Sequence, residues 1–181
     1  KKLFVVYLLQ TIGMEDKVSV PDYDKYIICA APHTTNWDLF IGKLFMGAIG
    51  RETGFMMKKD WFFWPLGYFP LDGGIPVDRS RKTSLVDQMI KIAKSSQKFH
   101  LAITPEGTRK ANQLEEGFYY IAQGAGLPII LVAIDYEKKC ITAEKVIHPS
   151  GDLDKDMREI KLYYKNFKGK YPENFSIGKV E

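Results

Sequence analysis

A histidine at the exit of an apolar run, with an aspartate five positions later, can do proton chemistry, and Ala31-Pro32-His33-Thr34-Thr35-Asn36-Trp37-Asp38 has that spacing. In one continuous helix the two side chains would stand roughly 140° apart and meet poorly. If Thr35 caps a helix that begins at Asn36, His33 lies in the preceding turn and Asp38 in the first helical turn, from which the carboxylate reaches back to the imidazole. A carboxylate on one ring nitrogen sets the tautomer and raises the basicity of the other, which prepares a histidine to take a proton from an alcohol. The same string also reads as a capping box, Thr35-x-x-Asp38, with His33 an ordinary turn residue.

Two further loops carry complementary chemistry. Gly73-Gly74-Ile75-Pro76-Val77-Asp78-Arg79-Ser80-Arg81-Lys82 sets Arg79 and Arg81 just past a short apolar run, and the planar guanidinium suits bidentate phosphate binding. A solvated loop whose Ser80 or Ser84 caps the next helix would look the same. Thr104-Pro105-Glu106-Gly107-Thr108-Arg109-Lys110 is a tight Pro-Gly turn whose amides and Arg109 could face an anion. Taken alone, it is an ordinary turn.

The elements that must position these loops follow from hydrophobic pattern. Tyr26 to Ala31, Gly54 to Lys58, Ile75 to Val77, His100 to Thr104, Ile129 to Asp135 and Ile141 to Ile147 are short apolar or β-branched runs that predict strands. Asn36 to Gly50, Ser84 to Ser95, Leu114 to Gln123 and Leu153 to Phe167 predict helices, the last with Met157, Ile160, Tyr163, Tyr164 and Phe167 on one stripe. Strands alternating with helices imply an α/β layered domain with a mainly parallel sheet. Such sheets bind ligands at the strand carboxyl ends, where all three loops would share one crevice.

The 181 residues, 45% of them hydrophobic, fit one domain over 1–181 with one core. Residues 1–25 are expected to form a helical or interfacial segment, and 168–181, polar with Pro172 and Gly178, a loosely held tail. Leu3 to Leu9 is far shorter than the about 20 residues that cross a bilayer as a helix. The formal net charge of +4 suits anionic membrane surfaces or phosphate-bearing substrates, and equally an ordinary solvated face. Cys29 and Cys140 lie in apolar runs without metal or disulfide spacing, which is compatible with a reducing compartment. Lys58 to Phe69 gathers Trp61, Phe62, Phe63, Trp64, Tyr68 and Phe69 behind two lysines, either as core or as a membrane-interface segment.

Together the strings resemble the glycerolipid acyltransferases that include lysophosphatidate acyltransferase. The family's His-x4-Asp motif is matched by His33 to Asp38, and its Gly-rich strand ending in Asp-Arg by Gly74 to Arg79. Its Pro-Glu-Gly-Thr-Arg string is Pro105 to Arg109, and its apolar strand with a proline is Leu127 to Val132. All four stand in family order over about Ala31 to Tyr136. Thr35-Asn36-Trp37 departs from the commoner residues after the histidine, and Thr104 stands where an aromatic is usual.

The resemblance implies a glycerol-3-phosphate acyltransferase-like fold and a His33–Asp38 relay that activates an acceptor hydroxyl for direct attack on an acyl thioester. It implies that Arg79 grips an acceptor phosphate and that Glu106, Gly107, Thr108 and Arg109 shape the acceptor site. No cofactor or metal is expected. The expected partners are a lysophospholipid acceptor, acyl-CoA or acyl-carrier protein as donor, and the inner face of a membrane approached from the cytoplasm, without nucleic acid. No Ser or Cys sits in a nucleophile-elbow pattern, so no covalent intermediate is needed. Oxyanion donors are expected among backbone amides near Pro128. Competing readings are another lysolipid or an amine-bearing lipid as acceptor, a metal-dependent phosphoesterase built on His33, Asp38, Asp78 and Glu106, and a non-catalytic lipid-binding domain. His100 and His148 are expected to be structural.

Overall fold

The computed structural model describes residues 11, 13–58, 74–77, 85–107 and 113–180. Arg79, Thr108 and Arg109 therefore lie outside the described residues, as do Leu3 to Leu9 and the aromatic cluster from Trp61 to Phe69.

Among the described residues the strands are β1 (Glu15–Val18), β2 (Lys25–Ala31), β3 (Gly54–Lys58), β4 (Gly74–Val77), β5 (Phe99–Ile103), β6 (Ile129–Asp135) and β7 (Cys140–Ile147). The helices are α1 (Trp37–Ile49), α2 (Leu85–Ser95), α3 (Gly117–Ala125) and α4 (Leu153–Tyr164). They form one sheet of order β1-β7-β6-β2-β5-β3-β4. The strands from β6 to β4 run parallel; β7 is antiparallel to β6, and β1 is parallel to β7.

Both faces of the sheet are covered, which is why its central strands are almost continuously apolar. Ile27, Cys29, Leu101, Ile129 and Leu131 meet Met89 of α2, Phe118 and Ile121 of α3, and Met157, Ile160 and Tyr164 of α4. Tyr26, Ile28, Ile130, Val132 and Ile134 face the other way, onto Ile41, Phe45 and Met46 of α1. Helix α1 buries Asp38, Ile41, Phe45 and Ala48, a helical spacing, so the first member of its core stripe is a carboxylate. It ends at Gly50 in the left-handed region, with Arg51 N–H bonding Met46 O at 2.9 Å.

All six expected strands form. β1 within residues 1–25 was not anticipated as a strand: its four residues, Glu-Asp-Lys-Val, are all exposed and lack an apolar face. It holds to β7 through the backbone ladder. Helix α3 starts at Gly117 rather than Leu114, because Glu115 N–H is drawn to Pro105 O.

The C-terminal segment is not loosely held. Lys168 O accepts from Tyr136 N–H at 2.9 Å, Tyr171 N–H donates to Thr34 Oγ1 at 3.3 Å, and Phe175 and Ile177 pack on the core. No helix among the described residues is long and apolar enough to cross a membrane.

Candidate active site

Strand β2 lies between β6 and β5, so three neighbouring parallel strands end together. β2 releases the chain into Pro32-His33-Thr34-Thr35 and then α1. The helix opens one residue later than expected, at Trp37 with Asn36 rather than Thr35 as its N-cap and no side-chain capping bond from Asn36, so the capping box is only half formed. Thr35 Oγ1 accepts from Trp37 N–H at 3.4 Å, while the Asp38 carboxylate reaches back to Thr35 N–H, as a capping box does. The same carboxylate oxygen, Oδ2, accepts from Thr34 N–H and Thr35 N–H, both at 2.8 Å, and lies 3.2 Å from His33 Nδ1. At that separation the ring N–H is not lined up with Oδ2 and no well-formed bond is made. Asp38 is only 5% exposed, so its charge is compensated by fixed amide dipoles rather than by water.

β5 leads into Thr104-Pro105-Glu106-Gly107. Gly107 takes a positive φ of 65° and returns its N–H to Thr104 O, closing a tight turn. The turn aims Glu106 inward, where Oε1 accepts from His33 N–H at 2.6 Å. Glu106 is 4% exposed and Oε2 has no partner among the described residues. Burial therefore pushes its carboxyl above the ordinary carboxylate range, more than the His33 amide and imidazole pull it down; the Asp38 charge adds to the rise. His33 is thus held at its backbone by Glu106, with the Asp38 carboxylate 3.2 Å from its ring.

Two supports were not anticipated. Tyr136, directly after β6, donates its hydroxyl to Asp38 Oδ1 at 2.6 Å. Gly169 lies so close to the turn that a Cβ there would sit 2.8 Å from Thr34 Cγ2 and Oγ1. The position of Tyr136 at a strand carboxyl end was the available signal for it; nothing in local composition marks Gly169.

Beside His33 and Asp38 opens a cavity of about 550 Å³ lined by Leu39, Phe45, Met46, Phe55, Val86 and Phe118 among others. The polar pair thus stands at an otherwise largely apolar space that suits a hydrocarbon chain. Lys43 sits in the same wall with its ammonium 4.7 Å from the Phe55 ring centroid.

The expected oxyanion donors near Pro128 are displaced from all this. Pro128 precedes β6 and its carbonyl accepts from Ile27 N–H at the amino ends of the strands. Seven strand residues, roughly 20 Å at the usual rise, separate it from the carboxyl end where His33 lies. His100 is structural, stacked on Tyr26 with ring nitrogens 3.0 Å from Glu52 O and 3.2 Å from Tyr23 O. His148 packs edge-on against Tyr23. Among the described residues, no three His, Cys, Asp or Glu side chains are grouped to hold a metal ion, and Asp78 is outside them.

The mainly parallel sheet of this α/β domain thus brings a histidine and a carboxylate together beside an apolar cavity. The chain belongs to the Acyltransferase family, whose family model matches residues 11–135. It is similar in fold to the 1-acyl-sn-glycerophosphate (LPA) acyltransferase PlsC from Thermotoga maritima, at 15% identity and a TM-score of 0.62. The match covers 91% of this chain and 75% of that one. No curated protein sequence matches the chain.

Proposed function

We propose that the protein transfers a fatty acyl group from a thioester, acyl-CoA or acyl-carrier protein, to the hydroxyl of a lysophospholipid of the 1-acyl-glycerol-3-phosphate type. The observation that carries this reading is the His33–Asp38 pair, 3.2 Å apart, at the apolar cavity. His33 Nε2, the nitrogen turned away from Asp38, takes the proton of the acceptor hydroxyl as its oxygen attacks the thioester carbonyl carbon. The tetrahedral intermediate collapses, the C–S bond breaks, and the thiolate leaves with the proton that the imidazolium returns. Asp38 holds the tautomer and stabilises the imidazolium. A positioned general base contributes about 10² to 10⁴ in rate, enough for a reactive thioester without a covalent acyl-enzyme.

In this reading Arg79 grips the acceptor phosphate, Thr108 and Arg109 face the acceptor, and Glu106 and Gly107 shape its side of the site through the His33 turn. A lipid acceptor also calls for a membrane surface, here a cytoplasmic inner face. Trp37, Leu39 and Phe40 support contact with a membrane surface, though not a choice of face: they stand exposed at the start of α1 beside the His33 turn, where rings can lie at a lipid boundary. Co-sedimentation with anionic liposomes should weaken in a folded Trp37→Ser/Phe40→Ser variant.

The deciding experiment is transfer of labelled acyl groups from each donor to a panel of lysolipids and amine-bearing lipids, with His33→Ala alongside. Product with a lysophosphatidate that disappears in His33→Ala is the expected result. Preference for another lysolipid or an amine would replace the acceptor; undiminished transfer by His33→Ala would remove the mechanism.

A further inference from the structure

Tyr136 is the first residue beyond β6, and Ala133 of β6 pairs with Ala31 of β2, so the two strands leave the sheet side by side. This brings a phenol from one loop onto the carboxylate that the other loop and α1 have placed. Its backbone is anchored too, N–H to Lys168 O at 2.9 Å. The hydroxyl donates to Asp38 Oδ1 at 2.6 Å, while Oδ2 holds the Thr34 and Thr35 amides and faces His33 Nδ1.

A carboxylate turns easily about its Cβ–Cγ bond. The amides pin one oxygen and the phenol pins the other, so the plane of Asp38 is fixed from opposite edges. Any rotation would change the Nδ1 contact, which is already out of line. Burial first, and the Asp38 hydrogen bond and charge second, push the phenol well above its ordinary value, so it remains a donor at neutral pH. The ring packs on the apolar cluster beneath α1, a task that phenylalanine would do equally well. The hydroxyl serves something else.

We infer that Tyr136 is a positioning residue for the acyl transfer: its hydroxyl locks the Asp38 carboxylate in the orientation that presents Oδ2 to His33. The inference rests on His33 acting as the base.

The test is a double-mutant cycle with a readout that needs no turnover. Tyr136→Phe should lower kcat about tenfold, the order expected for a lost hydrogen bond to a charged group, and leave both KM values unchanged. In an Asp38→Asn background the same substitution should have little further effect, because the group it orients is already gone. In protein labelled with ¹³C at tyrosine Cζ, the Tyr136 resonance should move on Asp38→Asn. Wild-type kcat in Tyr136→Phe, or a loss that multiplies in full with that of Asp38→Asn, overturns the proposal. So does a Tyr136 resonance untouched by Asp38→Asn, whatever the activity. His33→Ala separates the two levels. If it stays active, the base assignment fails and the role of Tyr136 with it. If it is dead while Tyr136→Phe is intact, only the positioning role fails.

Discussion

Glu106 gives the sharpest division between a residue that touches the acceptor and one that builds the turn carrying the base. Its carboxylate is buried and points at His33 N–H, 2.6 Å away. Glu106→Gln keeps the chain length and an Oε1 that accepts the same bond; Glu106→Ala leaves the His33 amide without it. A hydrogen bond involving a charged group contributes about 1.5–3 kcal/mol, and part of this is returned when a buried, half-paired carboxylate is removed. The alanine variant should therefore lose about 1–2 kcal/mol of stability and tenfold or more in kcat, since the ring shifts with its backbone. The glutamine variant should keep both acceptor KM and most of kcat. The pH dependence has a definite sign. A carboxyl raised by burial binds its proton more tightly in the fold than in the unfolded chain. Its contribution to stability is fully present below the unfolded value, about pH 4, and is lost as pH rises through the folded one. Glutamine has no such loss, so the variant should gain on wild type from acid to neutral pH in urea melts. If Glu106→Gln instead loses as much kcat as the alanine variant and raises acceptor KM, the carboxylate charge meets the acceptor and the structural reading is refuted.

His33→Ala and Asp38→Ala should each abolish most transfer and the double variant should lose little more, the outcome for a base and partner 3.2 Å apart that work as a unit; fully additive losses would separate them. Arg79→Lys should chiefly raise acceptor KM, because lysine lacks the bidentate fork, whereas a change confined to donor KM would assign the residue to the other substrate. Gly169→Ala would set a Cβ 2.8 Å from Thr34 Cγ2 and Oγ1 and 3.2 Å from Pro32 Cβ. Thr34 cannot swing aside freely, because its Oγ1 accepts from Tyr171 and its amide donates to Asp38. A loss of about 1–3 kcal/mol in denaturant melts, with lower kcat, is expected. Unchanged stability and rate would mean the turn has slack.

What the sequence made legible is what side-chain type alone can carry. Ile129 to Asp135 reads as a strand because it is buried on both faces, and such a strand has to be apolar throughout. Glu15 to Val18 does not, because backbone pairing with β7 needs no apolar residue. His33 and Asp38 were findable because their relation is local, a turn and a cap. The string around Glu106 announced a loop but not that its carboxylate would bond a main-chain amide 73 positions away. Tyr136 stands 98 positions from Asp38, and only the placing of β6 beside β2 joins them.

The segment from Lys168 to Tyr171 is the clearest case of this limit. Its polar side chains describe a solvated tail, yet what it gives the site is a carbonyl, an absent Cβ and an amide: Lys168 O, Gly169 and Tyr171 N–H. The His33 turn is therefore clamped largely through main-chain groups, at His33 by Glu106, at Thr34 and Thr35 by Asp38, and at Thr34 again by the C-terminal segment. Each of these contacts joins a main-chain amide to a side-chain oxygen, so the clamp depends on backbone shape and on Asp38, Glu106 and Thr34 together. Gly169 should accordingly be sensitive to substitution although it carries no side chain, alongside Asp38 and Glu106.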